Sequence, residues 1–256
     1  MNTSHPLSLC AALATLCTLF VFPLTSCTSL PSGGTGTGID PDAKAVLQKA
    51  SETLAAADAF SFRVQRDVPA VIAVKAGMRE NADIRVSAKR PDQVMAVDSS
   101  GGVERRFYYD GKQITRYGGP GNHYAVADAP ATTDEMIPFL NEKWGVHPPL
   151  AGLLLSNPLE FDVEKAQEGT LVGEETIDGE LCNHLNFIAD GVVWDLWISA
   201  GDHLPRRFDV TITELDGLPR GSTTISEWNL APSFPSDYFR AIIPAGFTQR
   251  KMEELH

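Results

Sequence analysis

Charge is missing from the start of this chain: the first 39 of its 256 residues contain no Asp, Glu, Lys or Arg. Leu7 to Leu24 is mostly apolar, but Pro6 and Pro23 bracket the run. They leave too little uninterrupted length for a membrane-spanning helix of about 20 residues. Cysteine is scarce as well, with four in all: Cys10, Cys17, Cys27 and Cys182. Two lie in the apolar run and a third at its end, so a mature domain would keep only Cys182. An intramolecular disulfide is thereby excluded, and a hydrophobic core has to hold the domain together. Clustered basic residues are absent too. Acidic residues outnumber basic ones 33 to 21, for a net charge of −12, with no block of like charge. Phosphate backbones require Lys/Arg clusters, so nucleic acid is excluded as a partner. Direct adsorption of the body to an anionic membrane is disfavoured on the same ground. The six histidines (His5, His123, His147, His184, His203, His256) show no metal-type spacing, and no metal or cofactor is expected.

What is present at the N-terminus reads as a cleaved signal, because a short apolar run closes on small residues. Leu24-Thr25-Ser26-Cys27 matches the bacterial lipobox, Leu-small-small-Cys. Residues 1–26 are therefore expected to be a lipoprotein signal peptide and Cys27 the lipidated residue. The n-region, Met1 to Pro6, departs from the pattern in having no Lys or Arg. One acyl chain is a marginal anchor, whereas two or three are effectively permanent. By resemblance to Gram-negative sorting signals, Thr28 after the cysteine favours the outer membrane, with the protein facing the periplasm. Residues 27–40 form the lipidated cysteine and a tether rich in Gly, Ser and Thr. Residues 41–256 are long enough for a core and are expected to form one domain.

After the tether, Asp40 is placed to cap a helix with Pro41 in its first turn. Val46, Leu47, Ala50, Leu54 and Ala57 recur at helical spacing up to about Asp58. Strand patterns follow. Phe60, Phe62 and Val64 alternate with polar residues, as do Ile84, Val86 and Ala88. Val68 to Met78, rich in Ala and Val without a clear polar turn before Gly77, is read as the first hairpin. Phe107-Tyr108-Tyr109 runs into Asp110-Gly111, a hairpin signal, and Gln113 to Tyr117 returns. Thr132 or Thr133 caps a helix over Asp134 to Trp144 that contains Pro138, and Leu150 to Leu155 is a short apolar piece. Strands resume at 170–177, 185–188, 193–199, 207–213 and 223–228, with Asp-Gly turns at 178, 190 and 216. Strands dominate and helices cluster, which predicts an α+β fold with a large antiparallel sheet.

Chemistry-bearing candidates are few. Cys182 and His184 share a strand face; a thiol beside an imidazole can be a nucleophile pair, but no orienting third group is recognisable. A buried structural cysteine with a hydrogen-bonded histidine is the favoured reading. Asp195, between Trp194 and Leu196, is read as the polar side of a strand. Arg206-Arg207 suits a phosphate or carboxylate head group, although a solvated strand edge is the commoner case. Gly118 to Gly121 is a turn and not a phosphate loop, since no Lys-Ser/Thr follows. No catalytic residue is assigned, and the protein is expected not to be an enzyme.

An ordered series of motifs carries a family resemblance. Arg105 to Lys112, Tyr117, Tyr124-Ala125 and Pro130 come first. Val172-Gly173, Cys182 to Leu185, Trp194 to Ile198 and Leu204 to Arg207 follow. Trp228 to Pro232 and Pro244-Ala245-Gly246 close it. The series, covering about 42–247, resembles a family of predicted periplasmic proteins of unknown function in the LolA/LppX-like group of lipoprotein carriers. The resemblance implies a curved, incomplete antiparallel β-barrel with helices covering its concave side. It also implies an apolar cavity whose ligand is a lipid, an acyl chain or a lipoprotein. Its lining would come from Phe60, Phe62, Val64, Phe107, Tyr109, Ile137, Leu140, Trp194, Leu196, Ile198, Phe208 and Val210. An ordinary core is the commoner role for the same residues, because a half-barrel with helices inside buries them either way. The expected function is a membrane-anchored periplasmic holder or receptor. The alternative is a non-catalytic envelope sensor or protein-interaction subunit on the same fold.

Overall fold

The computed structural model describes residues 38–75, 78–146, 150–159, 163 and 165–252. The expected signal peptide and Cys27 lie outside the described residues, as do His147 and His256. Gly38–Ile39, at the end of the expected tether, form a short strand, β1. Helix α1 (Pro41–Ala55) starts as its sequence dictates: the Asp40 carboxylate accepts from the Ala43 N–H at 2.6 Å, and Pro41 stands at the first helical position. Ala43, Leu47, Ala50 and Leu54 form its buried stripe.

A first meander follows: β2 (Ala59–Asp67), β3 (Asn81–Lys89), β4 (Gln93–Asp98), β5 (Arg105–Tyr109), β6 (Gln113–Gly118) and β7 (His123–Asp128). Between β2 and β3 the apolar run expected as the first hairpin instead forms a short helix, α2 (Ala70–Lys75). Its Ile72 and Ala73 pack with Val68 and Ile212 in a small separate cluster. Helix α3 (Thr133–Trp144) and a 3₁₀ turn (Ala151–Leu154) then interrupt the strands. Thr132 is the N-cap of α3, and Gly145, in the left-handed region, ends it. The second meander comprises β8 (Glu168–Ile177), β9 (Glu180–Ala189), β10 (Val192–Ser199), β11 (Pro205–Ile212) and β12 (Arg220–Asn229). A two-residue strand, β13 (Thr248–Gln249), follows near the C-terminus.

All thirteen strands join one curved, unclosed sheet in the order β1-β8-β9-β10-β11-β12-β2-β3-β4-β5-β6-β7-β13. Its pairs are antiparallel, except that β1 lies parallel to β8 and β13 parallel to β7. The two meanders meet where β12 pairs with β2. This is the α+β fold expected from the sequence.

The register sorts side chains onto two faces, since alternate residues point to opposite sides. On the covered face, Phe60, Ala88, Val94, Tyr109 and Ile114 form one cross-strand row. Phe62, Val86, Ala96, Phe107 and Arg116 form the next. Both helices cover this face: the α1 stripe and Met136, Ile137 and Leu140 of α3 belong to the same core cluster as Phe60, Leu185 and Trp194.

Polar contacts fix the insertion in place. The Arg90 guanidinium donates to the carbonyls of Leu153, Leu154 and Leu155 at 2.5 to 3.5 Å and lies over the Phe60 ring. Thr133 donates through its N–H and its hydroxyl to the Pro91 carbonyl at 2.8 and 2.9 Å.

Gly118 closes β6 with φ +98°, and a Cβ there would fall 2.3 Å from the Glu104 carbonyl oxygen. The neighbour is backbone and cannot yield. Gly118→Ala is expected to cost about 1–3 kcal/mol in urea unfolding, from strain and clash together. An unchanged midpoint would show that the turn relaxes freely.

Candidate functional site

A cavity of about 860 Å³ lies between the first meander and the helical insertion. Its floor is the covered face of β2 to β6, with Phe62, Val64, Val86, Ala96, Phe107 and Ile114. Its roof is Met136, Ile137, Leu140 and Trp144 of α3, with Leu150, Ala151 and Leu154 of the 3₁₀ turn. Helix α1 packs against β8, and the cavity is the space between α3 and the covered face of β2 to β6.

Of the twelve residues expected to line a cavity, Phe62, Val64, Phe107, Ile137 and Leu140 do so. The other seven are placed elsewhere. Phe60, Tyr109, Trp194, Leu196 and Ile198 are buried in the main core, and Phe208 packs against it. Val210 packs against the small cluster under α2. For Trp194, Leu196 and Ile198 of the second meander the covering element is α1, whose stripe packs into the same cluster. Tyr109 is held in addition by its hydroxyl, which donates to the Pro130 carbonyl at 2.7 Å. Burial pushes its pKa up to about 12.

One end of the cavity is not apolar. The strand phase that begins with Phe60, Phe62 and Val64 continues to Arg66, and that of Ile114 continues to Arg116. Phe107 is preceded in phase by Arg105, which pairs with Asp98 across the sheet. Arg79, from the β2–β3 connection, joins them. Its guanidinium binds Asp98, and also the Ser100 hydroxyl at 2.6 Å. Arg66 is only 8% exposed. Its guanidinium donates to the Arg79 carbonyl at 3.2 Å, while its Nε is buried with no partner among the described residues. Burial, and then Arg105 and Arg79, lower the pKa of Arg116. Period-two alternation could have found Arg66, Arg105 and Arg116, since each stands at an apolar-phase position of its strand; Arg79, on a connection, carried no such signal.

The catalytic candidates lie on the opposite face. Cys182 is fully buried, and burial raises its thiol pKa. His184 does have an orienting group: its Nε2 is 2.9 Å from Asp195, which also accepts from Asn186 at 2.8 Å. The imidazole stacks on Trp197, with ring centroids 4.4 Å apart. Asp195 is thus on the polar face, as expected, but buried within a network. Arg206 and Arg207 are already neutralised. Arg206 binds Glu180 and Asp202 at 2.6 Å, and Arg207 binds Asp209 at 2.8 Å. Neither faces the cavity. Among the described residues no His, Cys, Asp and Glu grouping could hold a metal.

Several solved structures are similar in fold. The lipoprotein LppX of Mycobacterium tuberculosis aligns over 76% of this chain and 98% of its own, at 16% identity and a TM-score of 0.47. LprF of Mycobacterium bovis aligns over 79% and 100%, at 18% identity and a TM-score of 0.49. MucB in the Pseudomonas aeruginosa MucA/MucB complex aligns over 78% and 61%, at 11% identity and a TM-score of 0.43. No curated protein matches the sequence. A family of the description "predicted periplasmic protein (DUF2092)" matches residues 43–251, and this chain belongs to it, in keeping with the LolA/LppX-like resemblance of its motifs.

Proposed function

We propose that the protein is a lipid-anchored periplasmic holder that takes the acyl part of an amphiphile into the cavity beneath α3. The cavity carries this reading: about 860 Å³ is near the top of the roughly 300–1,000 Å³ usual for small-molecule sites. Water in its apolar part would find few hydrogen-bond partners. An acyl chain there gains about 0.8 kcal/mol per buried methylene. Lipidation of Cys27 completes the proposal. A multiply acylated chain on a short tether stays at one membrane, so it holds or receives a lipid and does not shuttle it. The role is non-catalytic, with Cys182 serving as a buried apolar side chain.

Native mass spectrometry of protein extracted from membranes is expected to show a second, noncovalent lipid besides the acyl groups on Cys27. Ala96→Phe places a ring in the middle of the floor. It is expected to abolish uptake of the neutral dye N-phenylnaphthylamine while shifting stability by less than about 1 kcal/mol, because it fills existing space. Dye uptake unchanged by Ala96→Phe, together with protein carrying no second lipid, would overturn the proposal. Copurification of a defined protein with an empty cavity would point to the interaction subunit instead.

A further inference from the structure

We propose that the cavity selects amphiphiles with an anionic head group, held against Arg66, Arg79, Arg105 and Arg116 while the acyl chain lies under α3. This rests on the reading of the cavity as a lipid site and specifies its ligand class. Five arginines line the space; Arg106 is paired with Glu104 at 2.7 Å, and the other four gather at one end, where Asp98 is the one carboxylate among the described lining residues. Asp98 is bound by Arg79. Arg105 donates to the Val103 carbonyl at 3.1 Å, and Arg66 to that of Arg79. The Arg116 guanidinium donates no hydrogen bond to another described residue. Among the described residues, three of these four cations therefore have no carboxylate partner there.

A buried cation without a counter-ion is costly, because desolvation is not offset by charge pairing. Two further polar atoms are stranded at the same end: Arg66 Nε and His123 Nδ1 are both buried without a hydrogen-bond partner among the described residues. His123 continues the Asp98, Arg105 and Gly118 row onto β7, in the register that pairs Tyr117 with Tyr124. Burial and mutual repulsion lower the pKa of Arg66, Arg79 and Arg116 alike. A bound anion would relieve each of these costs at once. Carboxylates and phosphates both match guanidinium geometry through paired N–H donors. The apolar floor begins at the next covered-face positions along β2 and β5, Val64 beyond Arg66 and Phe107 beyond Arg105, so head group and chain would meet their surroundings within a single cavity.

The test compares ligands that differ only in the acid, using the unaltered protein. Palmitate is set against methyl palmitate, and a lysophosphatidate against the monoacylglycerol of the same chain, with affinities read by displacement of N-phenylnaphthylamine. The acid is expected to bind about tenfold more tightly or better in at least one pair, as charge-assisted hydrogen bonds imply. Preference in the first pair identifies a carboxylate, in the second a phosphate, and in both a general anion site. Arg66→Met/Arg116→Met is expected to weaken the acid about tenfold and leave the neutral partner unchanged. Equal affinity within both pairs would overturn the head-group assignment and leave the lipid cavity standing. Failure of all four to bind would overturn the cavity reading as well.

Discussion

Phe60→Ala is expected to destabilise the fold by about 3–5 kcal/mol and to leave dye uptake by the folded fraction unchanged. Phe60 is fully buried, stacks on Phe62 at 6.2 Å and lies under the Arg90 guanidinium. Truncation leaves a hole where neighbours fixed by the sheet can close in only partly, and such losses reach several kcal/mol. Phe62, two residues on, gives the contrasting case. It lines the cavity on one side and stacks on Trp228 at 4.6 Å on the other. Phe62→Ala enlarges space that already exists, so its cost should fall below that of Phe60→Ala while dye uptake changes. Denaturant unfolding and dye titration on the same samples separate the two. Equal stability losses with equal changes in uptake would mean that core and cavity are not distinct.

The second large effect concerns the opposite face of the sheet. Asp209 is 1% exposed and receives Arg207 and Arg220, each at 2.8 Å. Burial opposes its ionisation, but hydrogen bonds from Arg207, Ser222 and Arg220 outweigh that and hold its pKa below the usual carboxylate range. Removing both arginines as Arg207→Met/Arg220→Met strands a buried carboxylate and is expected to cost about 3–5 kcal/mol near neutral pH. Asp209→Asn removes the buried charge itself and leaves two half-exposed arginines, so it should cost less. The pH dependence follows from the depressed pKa. In the native protein the Asp209 contribution is fully present above the unfolded carboxylate pKa, about 3.9, and is lost as pH falls through the lower folded value. In the double variant burial raises the pKa instead, so acidification relieves the penalty. The stability gap between the two should narrow as pH drops from 7 toward 4. A gap that stays constant over that range would show that Asp209 is not the group responsible.

Much of the architecture could be read from local patterns. The Asp40-Pro41 start of α1 and the Asp110-Gly111 hairpin follow from short-range stereochemistry, and strand alternation follows from the pleat. The run from Val68 to Met78 could not be read that way. A short apolar stretch has no period long enough to separate a helix from a buried strand, and packing against Ile212 decided it. The cavity divided the expected lining residues for a similar reason. Alternation marks Phe62 and Trp194 equally as covered-face residues, but only the position of α1 determines which half of the sheet is filled. The arginine end was visible as single out-of-character residues. Its meaning needed the register that sets Arg105 beside Asp98 and one residue out of phase from Arg106.

The attachment of β1 has a mechanical consequence. In the proposed anchored state, any pull from the membrane enters the domain at Gly38–Ile39. There the backbone is bonded to Gln167 and Gly169 at 2.8 Å, and Asp40 accepts from both Ala43 and Leu171. Five strands separate β1 from β2 in the sheet, and the cavity floor begins only at β2. Load is therefore taken up by the α1–β8 corner, and the binding half of the sheet can stay unstressed while its anchor moves with the bilayer.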